Sequence, residues 1–92
     1  MDVKEAVKVA KVYVADLFAD EGAANLGLEE VEFEPHDELW RVTVGFNRNL
    51  SGTVANALAI ALGETSKRHY KVVTISDRDR KILSMRQREG MD

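Results

Sequence analysis

Val3, Ala6, Val7, Ala10, Tyr13, Val14, Leu17 and Phe18 recur at spacings of three and four residues, while Lys4, Lys8, Lys11 and Asp16 fall off that stripe. This is the period of an α-helix with one buried face. Asp2, followed three residues later by Glu5, has the spacing of a capping box in which Asp stands for Ser or Thr, so the helix is expected to start there. The five valines of this stretch lower its helix propensity by roughly a few tenths of a kcal/mol each, a deficit that burial of a five-turn stripe outweighs. Gly22 supplies a stop, and Gly27 is expected to mark a second bend before a sheet.

The period then changes from 3.6 to two. Leu39-Trp40-Arg41-Val42-Thr43-Val44-Gly45-Phe46 alternates large apolar with polar or small residues, the pattern of a strand with one wet face. Leu28 to Pro35 reads as the strand before it, with Val31 and Phe33 on one side, Glu30, Glu32 and Glu34 on the other, and Pro35-His36-Asp37-Glu38 as the turn. Placing Val31 and Phe33 on the face of Trp40, Val42 and Val44 requires paired residue numbers that sum to about 73 or 75, which sets Arg41 opposite Glu32 or Glu34. His69 to Ser76 and Lys81 to Arg88 form a second hairpin around Asp77-Arg78-Asp79-Arg80, with Val73, Ile75, Leu83 and Met85 expected on its apolar face. Between the hairpins, Thr53 to Leu62 is an alanine-rich run closed by Gly63 and capped by Ser51 or Thr53. It reads as a short helix, with a strand as the alternative. The fold class is therefore α+β, a single domain over 1–92. An N-terminal helix packs on a four-stranded antiparallel meander, with a short Ala-rich helix inserted between strands 2 and 3.

Composition narrows the function classes. Ninety-two residues with 45% apolar content suffice for one core, and the absence of cysteine removes disulfide scaffolds, thiolate metal sites and cysteine nucleophiles. The charged opening residues lead straight into the amphipathic pattern, and no run approaches the roughly 18 apolar residues of a membrane span, so a cytoplasmic protein without membrane contact is expected. The net charge of −3 conceals an asymmetry: residues 1–64 hold five Lys/Arg against twelve Asp/Glu, residues 65–92 eight against four. Acidic and basic strands meeting across one sheet explain this. Nucleic-acid binding is disfavoured, because the chain is acidic overall and Tyr70 is the one aromatic in its basic part.

Tyr70-Lys71-Val72-Val73-Thr74-Ile75-Ser76-Asp77 followed by Lys81-Ile82-Leu83-Ser84-Met85 resembles the last hairpin of PepSY-type and cystatin-like small bacterial domains. There a Tyr-x-Val-x-x-Ile/Val-Asp strand turns into a strand of two hydrophobic residues and a Ser. The family's turn usually contains a Gly, where this chain has Arg78-Asp79-Arg80. The resemblance implies a non-catalytic fold used for inhibition or protein contact, and assigns no site residues.

The residues carry little that suggests catalysis. His36-Asp37-Glu38 are consecutive turn residues that cannot converge on one ion, and Asp77-x-Asp79 lacks the glycine and glutamate a calcium loop needs, having Ile82 and Arg88 there. No nucleophile elbow or phosphate-cradling loop is present, so neither catalytic residue, cofactor nor metal is assigned and the chain is expected not to be an enzyme. Two surfaces suit a protein partner. On the Ala-rich segment, Ile60 lies opposite the Val54-Leu58-Leu62 face, and the small residues Ala55, Ala59 and Gly63 would admit another helix, including that of a second copy in a homodimer. On the sheet face away from the helix, Arg41, Tyr70, Val72, Ile82 and Arg86 are expected to emerge with Thr43, Thr74 and Ser84. The expected function is a non-enzymatic protein-interaction domain of inhibitor, immunity or accessory type. The alternative is a small-ligand binder or enzyme with a pocket between the first helix and the sheet, using Tyr13, Trp40 and His69.

Overall fold

The computed structural model describes residues 1–48 and 68–88. Helix α1 (Val3–Leu17) begins where the cap spacing places it: the Asp2 carboxylate accepts from the Glu5 N–H at 2.8 Å. Ala6, Ala10, Val14 and Phe18 are its buried stripe, with Val7, Val9 and Tyr13 packed at the margins. Val3 and Leu17, the outer members of the expected stripe, remain exposed. A 3-10 turn over Ala19–Glu21, which the hydrophobic period does not announce, ends at Gly22 with φ 72°, a left-handed position natural to glycine.

Strands β1 (Ala23–Glu34), β2 (Leu39–Arg48), β3 (Arg68–Ser76) and β4 (Lys81–Gln87) form one antiparallel sheet in the order β1-β2-β3-β4. The first hairpin takes the register that sums to 73, with Val31 opposite Val42, Glu32 opposite Arg41 and Phe33 opposite Trp40, whose rings lie 4.8 Å apart. Helix α1 lies over β1, β2 and β3. Val42, Val44, Phe46, Val73 and Ile75 meet Ala6, Ala10, Val14 and Phe18 there in a core whose side chains are almost wholly buried. The small alanines let the helix backbone approach the sheet, and the Phe18 and Phe46 rings, 5.1 Å between centroids, fill one end.

The structure departs from the sequence expectations in β1 and in β4. Strand β1 starts at Ala23 rather than Leu28, and Gly27 lies inside it instead of marking a bend before it. Its register shifts between Ala24 and Gly27, where Asn25 has φ 57°, and again at Glu29, so two bulges coil the strand. In β4 a bulge falls between the Thr74–Ser84 and Ile75–Ile82 pairs. It turns Leu83, expected on the apolar face, into solvent at 56% exposure, and brings Ile82, expected on the open face, onto the core beside Ile75. The Ala-rich segment, with Ile60 and the homodimer contact assigned to it, lies outside the described residues.

Candidate interaction surfaces

The sheet face away from α1 is crossed by the chain's own ion pairs. Gly27 and Gly45 sit opposite each other on β1 and β2, leaving a notch without side chains. The Arg68 guanidinium lies in it: Nε is 3.4 Å from Glu29 Oε2, Nη1 donates to Asn47 Oδ1 at 2.9 Å, and Nη2 to the Gly45 carbonyl at 3.1 Å. Arg88 reaches Glu30 at 3.4 Å, and Arg41 stands 4.0 Å from Glu32. Acidic β1 and the basic strands thus neutralise each other, as the charge asymmetry suggested. Thr43 is buried beneath this layer, Tyr70, Val72, Thr74 and Ser84 are half-buried, and Arg86 is exposed. Of the residues assigned to this face, Arg41, Tyr70, Val72 and Arg86 are here by register, and Ile82 is on the other side.

Tyr13, Trp40 and His69 are not brought to one pocket. Tyr13 packs at the core margin and the His69 ring lies against Phe46 at 5.8 Å. The Trp40 indole donates to Asp77 Oδ1 at 2.9 Å. That hydrogen bond holds the Asp77 carboxyl below its ordinary range, aided by the Met1 amino group at 3.4 Å and by Arg80, against some desolvation. The arrangement ties the β3–β4 turn to β2 and to the start of α1.

A different surface emerges between α1 and the outer edge of β1. An open cleft of about 470 Å³ has Val3, Val7, Val12 and Leu28 as its apolar lining and Lys4, Lys8 and Lys11 as its cationic one. Val12 is 54% exposed, Leu28 43% and Val3 45%. None of the three lysines makes an ion pair among the described residues, whereas Arg41, Arg68, Arg78, Arg80 and Arg88 each have a glutamate partner. The sequence carried the signal for this cleft in Val12, which lies off the buried stripe, and in the lysine spacing, but which edge of the helix is left uncovered depends on how α1 sits on the sheet. Among the described residues no group of three or more potential metal ligands converges, and no helix is long and apolar enough to cross a membrane.

Set against protein-family models, curated proteins and solved structures, the chain matches none.

Proposed function

We propose that this chain is a non-enzymatic protein-interaction domain, a cytoplasmic inhibitor, immunity-type or accessory protein that acts by covering a partner's surface. One observation carries the reading: an exposed apolar strip on α1 and β1 runs beside a row of unneutralised lysines. A small domain has a narrow margin of stability and gains nothing from such a strip unless a partner covers it. The resemblance of the second hairpin to PepSY-type and cystatin-like domains points the same way. The sheet's other face, with Arg41, Tyr70, Val72 and Arg86, serves as a secondary contact, on which Arg41 already faces Glu32 while Arg86 is exposed.

The cleft also gives the small-ligand reading a specific foothold, different from the pocket of Tyr13, Trp40 and His69. Its openness favours a macromolecular occupant over an enclosed ligand. Affinity capture from native lysate tests the proposal. The wild-type chain is expected to retain a defined protein that the Val12→Glu variant loses; equal recovery by both variants, or retention of nothing beyond a control resin, refutes it. Parallel Tyr70→Ala and Arg86→Glu variants report on the sheet face.

A further inference from the structure

We infer that the α1–β1 cleft is the seat of an acidic amphipathic helix belonging to a partner protein, an inference that rests on the reading of the chain as a contact domain. Lys4, Lys8 and Lys11 stand at i, i+4 and i+7, one row extending over about 10 Å of the helix. Val3 and Val7 run parallel to that row, one lane closer to the sheet, and Leu28 completes the floor from β1. An occupant that satisfies both lanes needs a carboxylate stripe beside an apolar stripe over two to three turns, which is the surface of an amphipathic helix. Charge complementarity sets its sign: the chain has a net charge of −3, yet this row has no acidic partner among the described residues.

Other occupants fit less well. Strand addition to β1 requires a regular edge, and the two bulges near Asn25 and at Glu29 interrupt it. A second copy docked by two-fold symmetry would set the lysine row against itself, while Glu30 and Glu32 face the other side of the sheet with Arg88 and Arg41. A flat anionic membrane calls for protruding apolar side chains, and here the apolar residues line a concavity.

The test uses the full chain, isotopically labelled, and a synthetic 14-residue helical peptide, a length of about four turns, with leucines spaced three and four apart beside a row of glutamates. Saturable chemical-shift changes are expected at Val3, Val7, Val12 and Leu28. Lys8→Glu combined with Lys11→Glu, the first exposed and the second half-buried, is expected to leave folding intact by thermal melt and to weaken binding at least about tenfold, and a peptide with lysines for glutamates to restore it. An absence of saturable shifts at millimolar peptide, an equal response to a scrambled sequence, or indifference to charge reversal overturns the inference. So does preferential binding to phosphatidylglycerol vesicles, or a dimer in light scattering that Val12→Glu dissolves. Should the peptide fail while a lysate partner is still captured in a Tyr70-dependent way, this inference falls and the contact-domain reading stands.

Discussion

The guanidinium of Arg68 lies over Gly45, occupying the space that a side chain there would fill. A Cβ built on Gly45 would come within 2.9 Å of Arg68 Nε and 2.6 Å of Glu29 Oε2, and one built on Gly27 within 3.0 Å of Arg68 Nη2. Glycine in a strand interior ordinarily costs about 0.5–1 kcal/mol relative to alanine, a cost that stands here against the room these two glycines leave for the ion pair.

A double-mutant cycle measures this relationship. In the wild-type background Gly45→Ala is expected to be near neutral or slightly destabilising, because the propensity gain is offset by displacement of a half-exposed pair worth about 1 kcal/mol or less. In an Arg68→Ala background the same change is expected to stabilise by about 0.5–1 kcal/mol, since no guanidinium remains to be displaced and the Glu29 side chain, released from its partner, is free to swing into solvent. Urea denaturation of the four proteins decides it; additive effects would mean that the pair and the glycine are energetically independent.

The β4 bulge gives a second contrast. Ile82→Ala is expected to cost about 2 kcal/mol, because the side chain packs on Ile75, while Leu83→Gln is expected to fall within about 0.5 kcal/mol of wild type. The regular alternation of the sequence predicts the reverse, so denaturant midpoints of the two variants check the register directly.

This is also where the sequence stops being sufficient. The cap at Asp2, the α1 stripe from Ala6 to Phe18 and the Gly22 stop follow from local chemistry and period and are legible in the chain, and the period narrows the first hairpin to two registers, of which the fold takes the one that pairs Val31 with Val42. A bulge is not, because one inserted residue inverts the faces on one side of it and leaves the composition of the strand unchanged. Ala23-Ala24-Asn25-Leu26-Gly27 hides the start of β1 for a related reason: its residues have low strand propensity, and pairing with β2 holds them extended. Of the two interaction surfaces, the sheet face was legible as a row of residues. Its neutralisation depends on Arg88 and Arg68 reaching strands distant in sequence. The cleft required the placement of α1 toward β1.

Both hairpin turns end on a residue in the left-handed region, Glu38 with φ 55° and Arg80 with φ 56°. For side chains other than glycine that conformation costs roughly 1 kcal/mol. Arg80→Gly relieves it and sacrifices an exposed pair with Glu5 at 3.9 Å and a favourable charge near Asp77. Allowing for the extra freedom of glycine in the unfolded chain, a gain of about 0.5 kcal/mol is expected, or a rise of ~3 °C in melting temperature. A lower melting temperature would show that the Glu5–Arg80 contact matters more than the backbone strain.

Trp40 and Asp77 provide the pH dependence. The Asp77 carboxyl is held below its ordinary value of 3.8, first by the indole hydrogen bond and then by the Met1 amino group and Arg80. A carboxylate with a depressed folded value favours the native state fully above the unfolded value, and that contribution disappears as the pH falls through the lowered folded value. Stability is therefore expected to be insensitive to this group above about pH 5 and to decline below about pH 4. Other carboxylates titrate in the same window, so the diagnostic quantity is the difference from Asp77→Asn, which keeps an acceptor for the indole but cannot ionise. Trp40, the chain's single tryptophan, reports the event by fluorescence. The wild-type emission is expected to shift on acidification with an apparent midpoint below 3.8, and the variant's emission to remain flat until global unfolding. Identical acid profiles for the two proteins would mean that the carboxyl and the indole are not coupled in solution.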